Sequence, residues 1–196
     1  MRSSRIVLTV AVLIATTLLG GCYVASQKLP AGSGPLIDQQ LIGAWETLDE
    51  SGKRTSDNTY LHFVKTNDEK PLVMVMVDDH SVTTYEMHSI KIGKRQMFAV
   101  KPLSSTNSEE KPEEGFILGY YEVKGDDLYL NLLDAKKMKA LVEANKVKGV
   151  AEKSDYGKVT LTGTPQELAN FFANTDPAAL IGGEKPARAH RISTAK

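Results

Sequence analysis

His62, His80 and His88 lie near Asp78 and Asp79, and imidazole with carboxylate is a donor set suited to zinc and other divalent ions. Their spacing argues against a site. Asp78, Asp79 and His80 fall between two strand-like segments, where such residues make a turn, and His62 alternates with Leu61 and Phe63, so it is expected on the solvent side. Glu46 and Glu86 could pair as general acid and base inside a cavity, yet their positions in strand-like segments put both on outer faces. No Gly-x-Ser-x-Gly elbow, His-Glu-x-x-His helix or glycine-rich phosphate loop occurs. No catalytic residue, metal ligand or cofactor is expected, and the chain does not read as an enzyme.

The thiol with a chemical context is Cys22, the single cysteine. Before it come Arg2 and Arg5, an apolar run from Ile6 to Leu19 interrupted by Thr9, Thr16 and Thr17, then Gly20 and Gly21. That order is a signal-peptide pattern. The apolar run is shorter than the ~20 helical residues a bilayer core requires, so a transmembrane helix is the weaker reading. A lone cysteine cannot close an internal disulfide, and a free thiol in an oxidising compartment calls for another use. Leu19-Gly20-Gly21-Cys22 resembles the lipobox of bacterial lipoproteins, although Gly20 departs from the Ala, Ser or Thr more usual there. The resemblance implies cleavage between Gly21 and Cys22 and lipid on Cys22, and several acyl chains on one residue make a stable membrane anchor. Tyr23 in place of Asp implies, by the sorting behaviour of Gram-negative lipoproteins, an outer-membrane position facing the periplasm. The bland alternative is an ordinary secretory signal followed by an incidental cysteine.

Organisation follows from composition. Without Arg2 and Arg5 the 24 basic residues fall to 22, against 24 acidic ones, and both signs are interleaved. A nearly neutral, mixed surface speaks against a nucleic-acid partner. Residues 1–21 read as the signal peptide, 22–35 as the lipidated cysteine and a flexible tether, 36–182 as one β-rich domain, and 183–196 as a basic, disordered tail. Residues 104–115 carry Glu109, Glu110, Glu113 and Glu114 and read as a mobile, solubilising hairpin loop.

Strand signals dominate the domain. Segments 41–48, 58–66, 72–78, 82–92, 95–103, 116–124 and 127–133 are short, rich in β-branched or aromatic residues and bounded by turn formers. Gly93-Lys94 and Gly125-Asp126 put glycine first in two-residue type II′ hairpins. Residues 72–77 are apolar throughout and are expected to be covered on both faces. A helix is expected over 135–147, with Asp134 as N-cap, Leu133 and Met138 as staple and Gly149 as stop. Thr164-Pro165-Gln166-Glu167 is a capping box that opens a second helix. Between the helices, 158–162 alternates and is expected to be the eighth strand. The fold class is mainly β with short helices: an antiparallel meander forming a barrel or a strongly curved sheet. Gly43-Ala44-Trp45 resembles the Gly-x-Trp signature of lipocalins, which implies an eight-stranded barrel with Trp45 across its closed end beneath a later arginine and an open end for small apolar ligands. The family's Thr-Asp-Tyr segment is missing, no arginine follows the expected last strand before Arg188, and the helix before that strand is foreign to the pattern.

Two functions of different class follow. One is a membrane-tethered binding module whose pocket, lined by Trp45, Met74, Met76, Met87 and Met97, takes a small apolar ligand or lipid chain. The other is an envelope interaction or scaffold protein without a small-molecule ligand.

Overall fold

A computed structural model describes residues 23–32, 37–67, 70–106, 115–152, 157–182 and 185–192. Cys22 with its signal segment, and the glutamates of the acidic loop, lie outside the described residues. Among the described residues are eleven strands: β1 (Val24–Ser26), β2 (Gly43–Leu48), β3 (Tyr60–Val64), β4 (Leu72–Val77), β5 (Val82–Ile92), β6 (Arg95–Ser105), β7 (Phe116–Lys124), β8 (Asp127–Leu132), β9 (Gly149–Ala151), β10 (Val159–Leu161) and β11 (Ala187–Arg191). The helices are α1 (Ala135–Glu143) and α2 (Pro165–Asn174).

The expected mainly β barrel is present. Strands β2 to β8 pair in sequence, all antiparallel. β6 also pairs with β7, and β11 bridges β8 to β2, so eight strands close on themselves. The hairpin glycines Gly93 and Gly125 both have φ +61°, while Lys94 and Asp126 stay at negative φ, as a type II′ turn requires. Register puts alternate residues inward: Trp45, Leu61 and Met76 share one row, and Leu72, Met87, Val100 and Ile117 another. Together with Phe63, Tyr85, Phe98 and Tyr121 they form one buried core. Gly119 makes room for it. A Cβ there would lie 2.4 Å from both the Asn131 carbonyl oxygen and Phe98 Cζ, so the Phe98 ring packs directly on the β7 backbone.

A second core lies outside the barrel. Ile90, Ile92, Met97, Ala99, Leu118 and Tyr120, the outward residues of β5 to β7, pack against Met138 of α1, Leu168 and Phe172 of α2, and Val24, Val159 and Leu161. Asp134 caps α1 by accepting from Lys137 N at 2.8 Å, and Leu133 and Met138 are both buried, as the staple requires. The helix stops at Glu143, short of the expected 147, because Asn145 enters the left-handed region at φ +54°. The Thr164 and Glu167 capping box of α2 is reciprocal, with bonds of 2.8 and 3.3 Å. Arg95 ties α2 to the barrel by donating to the carbonyls of Phe172 and Thr175.

Four expectations are corrected. Residues 23–32 are no tether: Tyr23, Val24, Ala25 and Ser26 are buried, β1 pairs parallel with β10 and antiparallel with β7, and Leu29 and Ala31 pack into the second core. Residues 187–191 are no tail but the eighth barrel strand, hydrogen-bonded on both sides, with Ala189 buried. The strand at 159–161 belongs instead to a three-stranded extension, β1-β10-β9, that runs off the side of β7. Finally, among the described residues β4 is covered only from inside, because both helices and the extension cover β5 to β7. Its outward Val73, Val75 and Val77 stay half-buried.

Candidate functional site

Three places concentrate unusual side-chain chemistry, and the first is the barrel end where β2 begins. The chain from Ile37 to Ile42 crosses this end and buries Ile37 and Leu41 against the core. Trp45 lies below it, fully buried, and its Nε1 donates to the Leu41 carbonyl at 2.8 Å. Arg191, at the end of β11, covers the indole, with its guanidinium carbon 4.1 Å from the ring centroid. The same guanidinium donates to the carbonyls of Ile42, at 2.8 Å, and Gln40. A tryptophan beneath a later arginine is the arrangement that the Gly-x-Trp resemblance implies, and the arginine is Arg191, which sequence spacing did not single out. Beside it the Tyr121 hydroxyl donates to Asp38 Oδ2 at 2.8 Å. Burial, with Asp38 adding to it, holds the Tyr121 phenol well above its usual pKa, and burial raises Tyr85, deeper in the barrel, to about 12. Both shifts favour the protonated phenol, and Tyr121 uses its proton as the donor to Asp38.

No family model, curated protein or solved structure matches this chain.

The residues expected to line a pocket divide. Trp45, Met76 and Met87 are buried in the barrel core and Met74 packs against it. Met97 does not join them. It points outward and is buried in the second core, because Phe98 and Val100 set the inward phase of β6. Of the groups weighed for metal or acid–base chemistry, Glu46 pairs with Arg54 at 2.7 Å and Glu86 with His88 Nε2 at 2.6 Å, both on the outer wall. His80 lies in the turn where the Asp78 carboxylate accepts from the amides of His80 and Ser81. Among the described residues no three His, Cys, Asp or Glu side chains converge on a metal position.

The second place is the outer wall of β3, β4 and β5. Val64 faces Val73, His62 faces Val75, and Val77 lies between Tyr60 and Val82. Val64 is 46% exposed and Val82 39%. This wall is a mixed sheet face: five valines share it with His62, Thr84 and Glu86, Arg54 lies 5.6 Å from the Tyr60 ring, and neither helix covers it among the described residues; the continuous apolar run at 72–77 was its sequence signal.

The third place is the start of the described chain. Tyr23 is 5% exposed, its ring lies 5.1 Å from Lys158 Nζ, and its hydroxyl is buried without a hydrogen-bond partner among the described residues. No helix among the described residues is long and apolar enough to cross a membrane.

Proposed function

We propose that this chain is a lipid-anchored protein of the bacterial cell envelope whose filled barrel serves as a rigid platform for docking another envelope component. The observation that carries the reading is the barrel interior. Eight strands enclose a lumen wide enough either for side chains or for one small ligand, and here Trp45, Phe63, Tyr85, Phe98 and Tyr121 occupy it together as a single buried core. The outer wall of β3 to β5, where Val64 and Val82 are exposed beside His62, Thr84 and Glu86, offers a mixed apolar and polar surface for a partner. For the anchor, the support is the signal pattern ending at Cys22 and the start of β1 two residues later. Membrane attachment is through lipid on Cys22, and the expected position is the periplasmic face of the outer membrane.

The test is photo-crosslinking in intact cells from Val64 and Val82, with the exposed Gln166 on α2 as control. A reproducible protein adduct from the two valines and none from Gln166 supports docking; equal labelling from all three overturns it. Mass spectrometry of the mature N-terminus tests the anchor. An unmodified Cys22, or a chain still carrying residues 1–21, contradicts it.

A second reading, a carrier of a small apolar molecule or lipid chain, rests on one seam. After Leu132 β8 leaves β7 and β1 takes its place; Leu130 and Leu132 are only partly buried there, and the Tyr23 hydroxyl has no partner among the described residues. A stoichiometric apolar molecule in the organic extract of the purified protein would favour this reading over the platform.

A further inference from the structure

The barrel has no free edge, but its extension does. β9 lies last in the order β7-β1-β10-β9 and pairs only with β10 among the described residues. Glu152 N donates to the Lys158 carbonyl and Thr162 N to the Lys148 carbonyl, both at 3.0 Å, so Lys148, Val150 and Glu152 turn their backbone groups to β10. The N–H and C=O of Gly149 and Ala151 therefore point away, to an edge that no described strand takes. Such edges are ordinarily blunted by proline or a bulge, yet residues 148–152 contain no proline and pair in regular register. α1 lies on the face that Gly149 and Ala151 share, since a Cβ on Gly149 would meet Val142 Cγ2 at 2.9 Å. Val150 is on the other face and, at 64%, is the most exposed of the large apolar residues described. Lys148 and Glu152 flank it there, one on each side.

From these placements we infer that β9 is a homodimerisation edge: its partner is β9 of a second copy, paired antiparallel about a two-fold axis with Val150 opposite Val150. A two-fold contact brings the same residues together in reciprocal pairs. In this register Gly149 of each copy exchanges both backbone bonds with Ala151 of the other, so every outward group of the edge finds a partner, and the two Val150 side chains cover each other. It also sets Lys148 of each copy opposite Glu152 of the other, whereas registers centred on residue 148 or 152 would oppose two lysines or two glutamates. Lys148 already holds Glu167 of α2 at 2.6 Å, but that pair is exposed and an ammonium has three donors, so it reaches a second carboxylate without releasing the first. Glu152 accepts from Lys158 N at 3.2 Å and keeps acceptor capacity beyond it. Each barrel stands three strand spacings, about 14 Å, behind the edge, so the extension and not the barrel wall makes the contact. Neither Cys22 nor the outer wall of β3 to β5 takes part, and failure of the proposed anchor or platform leaves the edge intact. A contact this short falls below the ~800 Å² per partner of a standard interface, so the pair forms and separates with concentration.

The test traps the pair covalently, by mild oxidation of the full chain carrying single substitutions. Directly opposed residues of a non-hydrogen-bonded pair lie ~4.5 Å apart at Cα, within disulfide reach. V150C should link residue 150 of one copy to residue 150 of another several-fold faster than K124C, in the exposed β7–β8 hairpin, links to itself. K148C and E152C on differently tagged chains should link to each other when mixed, and neither should link to its own kind. These four positions are exposed, so the cysteines leave the fold in place. Cys22 is common to every variant, and mass spectrometry of the linked peptides separates its bonds from those at the edge. Bonds at position 150 no faster than those at 124, or self-linkage of K148C as fast as the mixed product, overturn the pairing.

Discussion

Arg191 combines four contacts in one guanidinium: the Ile42 carbonyl, the Gln40 carbonyl, the face of Trp45 and, through Nε, the Asp126 carboxylate at 3.6 Å. A planar fork can stack and donate twice at once, whereas an ammonium cannot. Arg191→Lys should therefore behave as a loss, costing about 2 kcal/mol from the cation–π contact and a charged hydrogen bond together. Urea unfolding followed by Trp45 emission reads this directly; an unchanged midpoint would show that Arg191 does not hold the barrel end. Gly119→Ala tests the opposite error, too much volume. The atoms in its way include a backbone carbonyl, which cannot swing aside, so overpacking should cost ~1–3 kcal/mol. At this scale Trp45 was legible because it is the single tryptophan in a strand-like segment. Arg191 and the Tyr121–Asp38 pair were not, since the bonds span 149 and 83 positions and no local pattern marks either partner. Met97 was read in the wrong phase because Met97, Phe98, Ala99 and Val100 are apolar on both faces of β6, so alternation says nothing there.

Among the elements, β5 and β7 have the bounds their sequence implies, because alternation and glycine turns delimit both. β11 escaped notice for a physical reason. Its inward residues are Ala187 and Ala189 and its outward Arg188 and His190 are polar, so it shows neither β-branched enrichment nor an apolar stripe. What holds it is backbone pairing on both sides plus Asp127, which accepts from Arg188 Nη2 at 2.9 Å and pairs with His190 Nδ1 at 3.0 Å. Truncation after residue 186 should thus destroy cooperative unfolding, while truncation after 192 should leave it intact, as circular dichroism melts will show. Asp127 also makes β11 acid-sensitive. The hydrogen bonds from His190 and Arg188 hold its pKa below the usual carboxylate value, so its contribution is present above about pH 4 and fades as pH falls through the lower folded value. Amide exchange at Ala189 should accelerate below that point before exchange in β5 does. β1 was missed as well: four consecutive buried residues, facing two different cores, show no period at all.

At the scale of the molecule, two cores share one wall. Ile117 and Tyr121 of β7 face into the barrel while Leu118 and Tyr120 of the same strand face the helices. Damage to either core should be felt in the other. Phe172→Ala, in α2, should lower the midpoint of Trp45 emission by the equivalent of ~3–5 kcal/mol although the two rings lie in different cores; a separate, earlier transition for the helical layer would contradict this. Such coupling suits a platform, because a load taken on the β3 to β5 wall is borne by the whole chain. The circular closure of the barrel has a further consequence, for biosynthesis. The strand that seals β2 to β8 follows them by more than fifty residues, so a nascent chain has seven of eight staves in hand and an open edge on each side until β11 is free. The interval between synthesis of β8 and release of β11 is when this protein is most exposed to proteases and to mispairing, and a carboxy-terminal fusion would prolong that interval.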